Sequence, residues 1–288
     1  MSFQSSELIL DQHGNIYHLK LKPSDVANDI LLVGDPGRVD LVEKFLDKTE
    51  LKRQNREFKT VTGYFRGKRL SIISTGIGTD NIDIVVNELD ALKNIDLEAR
   101  QVKEQKQSLR LIRLGTSGAL QEDIPSGSLL VTEKSVGFDN LLQFYNIARP
   151  EESLTIESKM KKHFGWPQEA VYPYIMNASP QLLEKMDDPD FIRGMTISAP
   201  GFYGPQGRKL RIPLCDEDLN NKIYNFRFTN LRITNYEMES SAIYALATTL
   251  GHQALTICAI IANRRRGDHL PDYQKKIREL IEKVLEKI

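Results

Sequence analysis

The alternation of apolar runs with helical patterns is the feature that most restricts how this chain can fold. Residues 29–35 (DILLVGD) have the composition of a buried strand, and residues 37–46 (GRVDLVEKFL) follow with helical spacing. Residues 69–78 repeat the strand pattern and residues 79–95 the helical one. Strands separated by helices predict an α/β fold around a largely parallel sheet, flanked by helices.

The alternation of strand and helix patterns continues through the rest of the chain. Further strands are predicted at residues 109–120, 128–136, 194–201, 228–234 and 255–264. Helices are predicted over residues 241–251 and 271–288, the second of which Pro271 would start. Because no internal repeat or Pro/Gly linker divides the chain, we predict one domain over residues 1–288. The polar stretch at about 96–108 is predicted to be a solvated insertion, either a loop or a helix extension.

Charge and composition exclude several classes of function. Lys plus Arg and Asp plus Glu are each 39, so the net charge is zero and no global field favours nucleic acid or an anionic membrane. The most apolar run, residues 254–262, is shorter than the ~20 residues of a membrane helix. Cys215 and Cys258 lack metal-binding or redox spacing, and the N-terminus lacks a signal-peptide pattern. These features predict a soluble, cytoplasmic protein.

Three glycine-containing loops follow predicted strands, at residues 34–38 (GDPGR), 75–81 (TGIGTDN) and 113–119 (RLGTSGA). Ligands of open α/β sheets bind at the carboxyl ends of strands, where glycine lets backbone N–H groups approach an anion. None of the loops is a P-loop or a dinucleotide fingerprint, so they favour a small anion, with simple tight turns as the alternative. Arg113 lies inside an apolar strand, where a charge needs an anionic partner.

Six short motifs occur in order along most of the chain. They are GDPGRV, NREF, STGIG, RLGTSGA, APGFYGPQGR and NYEMESSA. Together they resemble the nucleoside phosphorylase-I family, and within it the uridine phosphorylases. The resemblance implies a single α/β domain with a central mixed sheet, and homo-oligomers built from dimers, often hexamers. It also implies phosphorolysis of a nucleoside N-glycosidic bond, with inorganic phosphate as co-substrate, no cofactor and no metal.

Matching the motifs implies a phosphate site. Its residues would be Gly34, Arg38, Arg113 and Thr116, with Arg56 supplied by a neighbouring subunit. Arginine suits this role because its guanidinium binds phosphate as a two-pronged donor.

The resemblance also implies a ribose site. Glu239 would bind the 2′- and 3′-hydroxyls, Met238 would pack on the sugar, and His18 would reach the 5′-hydroxyl across a dimer interface. Glu237 would belong to this site while orienting the loop or an arginine. The alternatives are that both glutamates only complement the dipole of the following helix, and that His18 is a surface residue.

The implied base site contains Phe202, Gln206, Arg208 and Arg264. An amide with a guanidinium can pair with the edge of uracil and stabilise its negative charge as it leaves. Arg113, Glu239 and Arg208 would therefore carry catalysis. Purine-specific members have an aspartate where Arg264 stands, which disfavours purines here. The order Gly204-Pro205 reverses the bacterial Pro-Gly order, which leaves the pose of Gln206 open.

Three other functions stay open from the sequence. A purine nucleoside phosphorylase and a nucleosidase, which uses water in place of phosphate, belong to the same family. A nucleoside-binding protein without catalysis belongs to a different class. Glu57 and Ser74 match positions that bind a monovalent cation at the dimer interface in some bacterial relatives.

Overall fold

The computed structural model describes residues 2–166 and 173–288. Within these ranges the strands, in chain order from β1 to β14, are Asp29–Val33, Lys48–Asn55, Phe58–Phe65, Lys68–Ser74, Ile95–Asp96, Gln101–Val102, Arg110–Ala119, Leu129–Gly137, Tyr174–Asn177, Phe191–Ser198, Arg227–Phe228, Leu231–Glu237, Gln253–Asn263 and Asp268–His269. The α-helices, from α1 to α7, are Pro36–Glu43, Thr79–Asn94, Glu151–Phe164, Pro180–Lys185, Leu219–Asn225, Ser240–Leu250 and Gln274–Lys287. Short 3₁₀ helices cover Pro23–Asp25, Leu141–Phe144 and Gly204–Gln206.

Strand β7 organises the main sheet because it pairs with three other strands. It runs parallel to β1 and β13, and its end pairs antiparallel with β12. Parallel pairing also joins β1 to β4 and joins β10 to both β8 and β12. An antiparallel β13–β8 pair connects the two parallel groups, so β7, β13, β8, β10 and β12 form a closed ring of strands. The predicted α/β fold with a mixed sheet and a parallel centre is confirmed.

Burial explains why the central strands were predictable from sequence. Every residue of β1 is buried, as expected for a parallel strand covered on both faces. The predicted helices appear as α1, α2, α6 and α7, with α2 packed against α6, and α6 packed on β8 and β13.

Strands β3 and β9 and helices α3, α4 and α5 were not predicted from the sequence. The structure also differs from the predictions at three points that have a clear physical reason. Helix α7 begins at Gln274 after Tyr273 as N-cap, so the prediction that Pro271 starts it was wrong. The antiparallel strand β2 was not predicted, because it forms an edge without any buried residue and shows no apolar alternation. Of the two alternatives for the polar stretch 96–108, the helix extension is wrong, because the stretch contains most of the exposed β5–β6 hairpin. In the described parts of the chain, none of the helices has the length and apolar character needed to cross a membrane.

Tyr244 anchors α6 to the sheet at two points. Its side chain is fully buried, and its hydroxyl donates to the backbone oxygen of Thr132 on β8 at 2.7 Å. The hydroxyl oxygen of Tyr244 also accepts from the backbone nitrogen of Thr256 on β13 at 2.9 Å. One phenol therefore ties the helix to both strands that join the two parallel groups.

Replacing Tyr244 with Phe is expected to lower the free energy of unfolding by about 1–3 kcal/mol, because two buried backbone groups lose their partner. Chemical denaturation would measure the loss. Tyr17→Phe is the matched control, since the Tyr17 side chain is 39% exposed. Equal stability of Tyr244→Phe and the wild type would show that water replaces the phenol without cost.

Candidate active site

One cavity of about 340 Å³ lies at the carboxyl ends of β1 and β12, alongside the second half of β7. Ten of the predicted site residues line it: Gly34, Arg38, Arg113, Thr116, Phe202, Gln206, Arg208, Glu237, Met238 and Glu239. The topology therefore brings together side chains that are separated by as many as about 200 positions, as expected for parallel strands that end at one edge.

His18, Arg56 and Arg264 do not line this cavity. Arg56 is exposed in the turn between β2 and β3, where it has a φ of +53°. His18 lies close by, because the side chain of Asn55 donates to its backbone oxygen at 2.8 Å. Nδ1 of His18 is 2.7 Å from Oε1 of Glu88. His18 and Arg56 thus lie together on a surface outside the cavity.

Arg113 and Glu239 form a buried ion pair in the cavity wall. Nη2 of Arg113 donates to Oε2 of Glu239, and Nη1 lies 4.0 Å from Oε2 of Glu237. Burial opposes the charge of Arg113, but the two carboxylates outweigh it and raise the pKa of Arg113. Burial also raises the pKa of Glu239, with Arg113 opposing and Glu237 reinforcing the shift. Nε and Nη1 of Arg113 are buried and have no hydrogen-bond partner among the described residues.

Two glycines make this ion pair possible. Gly78 has a φ of +100°, and in this conformation its backbone nitrogen donates to Oε1 of Glu239 at 2.9 Å. A Cβ at Gly115 would run into Nη1 of Arg113 and come within 2.9 Å of Sγ of Cys258. Burial raises the pKa of the Cys258 thiol to about 12, so this sulfur is protonated and is not a nucleophile at neutral pH.

Arg38 contributes a second guanidinium to the cavity lining, where its Nη1 donates to the backbone oxygen of Leu114 at 3.4 Å. It lies in the first turn of α1, whose N-cap Asp35 accepts from the Arg38 backbone nitrogen at 2.9 Å. Nη2 of Arg38 is 3.2 Å from Oδ2 of Asp35. Burial lowers the pKa of Arg38 and Asp35 opposes this shift. Two largely buried guanidinium groups, one at a helix N-terminus, are the elements of an anion site.

Glu237 stabilises the start of α6. Its carboxylate accepts from the backbone nitrogens of Glu239 at 3.0 Å and Ser240 at 3.0 and 3.1 Å, and from Oγ of Ser198. Glu239 occupies the N-cap position but its side chain makes no capping bond. Glu237 therefore has the predicted role at the helix terminus. The Glu239 carboxylate instead binds Arg113 and the backbone nitrogen of Gly78.

Gln206, Arg208 and Phe202 form a second cluster in the cavity lining. Nη1 of Arg208 donates to Oε1 of Gln206 and to the backbone oxygen of Phe202, both at 2.5 Å. The guanidinium carbon of Arg208 lies 3.7 Å from the centre of the Phe202 ring. The Gly204-Pro205 pair opens the 3₁₀ turn that ends at Gln206, which is 3% exposed.

Arg264 contacts this cluster without lining the cavity. Its Nη1 donates to the backbone oxygen of Gln206, and its guanidinium carbon lies 5.4 Å from the centre of the Tyr236 ring. Burial, together with repulsion from Arg264, lowers the pKa of Arg208 to about 10. Arg208 therefore carries its charge at neutral pH but holds it less tightly than a solvated arginine.

Some lining residues were not singled out from the sequence. These are Asp35, Ile77, Ser117, Gly118, Tyr236, Ile261 and Ala262. Ile77 belongs to a glycine loop and Tyr236 to the NYEMES motif, so the motifs contained a signal for both. Ile261 and Ala262 are ordinary apolar strand residues, and nothing in the local sequence distinguishes them from core residues.

Glu57 and Ser74, which match a cation site in some relatives, are hydrogen-bonded to each other. Oγ of Ser74 donates to the backbone oxygen of Glu57 at 2.5 Å and accepts from the backbone nitrogen of Lys59 at 2.8 Å. Across residues 2–166 and 173–288, no three His, Cys, Asp or Glu side chains are grouped as metal ligands.

Comparison with known proteins identifies relatives over nearly the whole chain. A family model described as the phosphorylase superfamily matches residues 29–288. The chain is 29% identical to a uridine phosphorylase of Thermococcus kodakarensis over 266 residues, which cover 91% of this chain and 82% of the relative. It is 30% identical to a DeoD-type purine nucleoside phosphorylase of Alkaliphilus metalliredigens over 246 residues, covering 84% and 85%.

A solved structure is also similar to this chain. It is a Trypanosoma brucei nucleoside phosphorylase that shows uridine phosphorylase activity. The two chains superpose with a TM-score of 0.88 at 29% identity, covering 98% of this chain and 100% of that one.

Arg113→Ala is expected to lower the free energy of unfolding at pH 8 by about 3–5 kcal/mol, because Glu239 would be left buried without its cation. Glu239 already has a raised pKa, so it can take up a proton as the pH falls. A carboxyl whose pKa is raised by folding destabilises the folded state only above its unfolded pKa, so the deficit should be smaller at pH 5 than at pH 8.

Denaturant titrations at both pH values would measure this deficit. Arg278→Ala, which removes an exposed arginine from α7, is the control and should change neither value. A deficit independent of pH would show that Glu239 is not the group left unpaired.

Proposed function

The chain belongs to the phosphorylase superfamily, and we propose that it is a nucleoside phosphorylase that converts uridine and inorganic phosphate into uracil and ribose 1-phosphate. One observation carries the proposal. A single cavity is lined by the guanidinium groups of Arg38 and Arg113, by Glu239 and by the hydrogen-bonded Gln206–Arg208 pair. These three sets of groups suit phosphate, ribose and a pyrimidine base, in that order.

The phosphate end works mainly by position and charge. Arg38 and Arg113 neutralise the phosphate, and the unpartnered Nε and Nη1 of Arg113 supply donors for its oxygens. Thr116 lines the same wall. One phosphate oxygen is then held against C1′ of the ribose, so attack on the sugar needs no further ordering of the reactants.

Glu239 serves the ribose. An ionised carboxylate only accepts hydrogen bonds, so it suits the neighbouring 2′- and 3′-hydroxyls. As the N-glycosidic bond breaks, positive charge develops on the sugar, and a nearby carboxylate stabilises that charge. The pairing with Arg113 and Gly78 holds Glu239 in place for both tasks.

The base end stabilises the leaving uracil. The bond electrons pass to N1 of the base, and the negative charge spreads over O2 and O4. Arg208 and the amide of Gln206 donate to these oxygens, and the stronger bonds form as the charge grows. Arg264 stands where purine-specific relatives place an acid, which favours uracil over hypoxanthine as the base released.

Uracil should appear from uridine only when inorganic phosphate is present, and hypoxanthine release from inosine should be much slower under the same conditions. Chromatography of the free base would follow both reactions. Hypoxanthine at the faster rate would show a purine nucleoside phosphorylase. Base release without phosphate would show a nucleosidase, and no release of either base would favour a binding protein.

The proposed active site is completed by a second copy of the chain. Arg56 and His18 lie together outside the cavity that their motif matches assign them to, and both are accessible to a partner. In a two-fold dimer each copy would lend these two side chains to the site of the other. We therefore propose that Arg56 contacts phosphate and His18 contacts the 5′-hydroxyl in the cavity of the partner subunit.

Mixing two inactive variants tests this sharing. Arg56→Ala removes the donated residue and Glu239→Gln disables the receiving cavity. In a hybrid dimer one cavity carries both changes and the other carries neither, so random mixing should restore about a quarter of the wild-type sites. Co-expression of differently tagged chains followed by rate measurement gives the result. Activity no higher than that of the two separate variants would mean that Arg56 serves its own subunit or none.

A further inference from the structure

A chain of buried polar groups leads away from the cavity through Glu237. Glu237 ends β12 and Ser198 ends β10, and the parallel register places these two residues side by side. Glu237 is 4% exposed and Ser198 is fully buried. Ser198 does not line the cavity, so it has no direct part in holding a substrate.

The direction of the hydrogen bonds around Ser198 is determined by its neighbours. The backbone nitrogen of Ser241 can only donate, and it donates to Oγ of Ser198 at 2.9 Å. The single hydroxyl hydrogen of Ser198 is therefore available for Oε1 of Glu237, which accepts it. Ser198 thus links the first turn of α6 to the Glu237 carboxylate.

The remaining acceptor positions of the Glu237 carboxylate are also occupied. Besides Ser198, its two oxygens accept from the backbone nitrogens of Glu239 and Ser240, and one of them faces Nη1 of Arg113 at 4.0 Å. A carboxylate offers about four lone-pair positions, so Glu237 has little capacity left for a ribose hydroxyl. It acts on the neighbouring site residues and not on the substrate.

A second link holds the same turn of α6. Oγ of Ser241 donates to Oδ2 of Asp139 at 2.8 Å, and the hydroxyl of Tyr174 is 2.9 Å from both carboxylate oxygens of Asp139. Asp139 is 5% exposed. The turn that carries Glu239 is therefore held from β10 by Ser198 and from the end of β8 by Asp139.

We propose that Ser198 is a positioning residue of the active site, which acts through Glu237 to hold Arg113 and Glu239 in the geometry that binds phosphate and ribose. This inference rests on the proposed phosphorolysis. Without the Ser198 hydroxyl, Glu237 keeps only its backbone donors, and Oε1 loses the side-chain donor that opposes its movement toward Arg113. The Arg113 guanidinium then moves toward Glu237 and away from the phosphate position. The Glu239 carboxylate shifts with the backbone of the first turn of α6.

Ser198→Ala is the test, and Ser135→Ala is the matched control. Ser135 is also a fully buried serine on a strand of the same sheet, but its hydroxyl donates to the backbone oxygen of Met176 at 3.3 Å and has no link to Glu237. The loss of a hydrogen bond to a charged group should lower kcat/KM for uridine about 10- to 100-fold in Ser198→Ala. The control should stay within about twofold of the wild type.

The division between KM and kcat distinguishes positioning from damage to the fold. A partly unfolded enzyme loses active molecules, so kcat falls while the KM values for uridine and phosphate stay unchanged. A displaced Arg113 instead raises both KM values and weakens the binding of inorganic phosphate measured by calorimetry. Ser198→Ala should show the second pattern with a thermal midpoint close to that of Ser135→Ala. Unchanged KM values and unchanged phosphate affinity would overturn the proposal.

A double-mutant cycle identifies the route. If Ser198 acts through Glu237, adding Ser198→Ala to Glu237→Gln should weaken phosphate binding no further than Glu237→Gln alone. Additive losses would overturn the route through Glu237. A wild-type protein that releases no uracil would instead contradict the proposed function, and the calorimetric comparison keeps the two failures apart.

Discussion

A guanidinium buried inside a central strand is the constraint on which the site depends. Arg113 lies in β7, which is covered on both faces, and such a charge is tolerated only when anions and hydrogen-bond acceptors surround it. Glu239 provides the direct partner and Glu237 the second negative charge. Gly115 leaves the space that the Arg113 side chain occupies, and Gly78 orients a backbone donor toward Glu239. In the proposed reaction, the groups that compensate the charge of Arg113 are also those that bind phosphate and ribose.

The two pairs of arginines at the site, Arg38 with Arg113 and Arg208 with Arg264, differ in how their charges are balanced. Arg38 and Arg113 each have a carboxylate within ion-pair distance. Among the residues the structure describes, Arg208 and Arg264 make hydrogen bonds to an amide and to backbone oxygens but have no carboxylate within that distance. In the proposed reaction, the positive charge of these two arginines is met by the leaving base. That arrangement favours a product base that departs with negative charge, which is the property of uracil that the proposed reaction uses.

Much of the fold could be predicted because its determinants are local. Continuous apolar runs indicated β1, β4, β7 and β13, and helical spacing indicated α2 and α6. The exposed strand β2 escaped prediction because an edge strand needs no apolar alternation when its pairing partner lies next to it along the chain. The start of α7 was misplaced because Tyr273, a residue without a capping side chain, occupies the N-cap.

The sequence by itself determined the α/β class, the family resemblance and ten of the residues that line the cavity, because short motifs at strand ends report both the turn and its chemistry. Only the tertiary structure decided what each side chain does there. Arg56 and His18 lie outside the cavity, the Glu237 carboxylate binds backbone nitrogens at the start of α6, and Ser198 lies beside Glu237. These outcomes depend on contacts between residues far apart in the chain, such as Arg113 with Glu239, and such contacts leave no pattern in the local sequence.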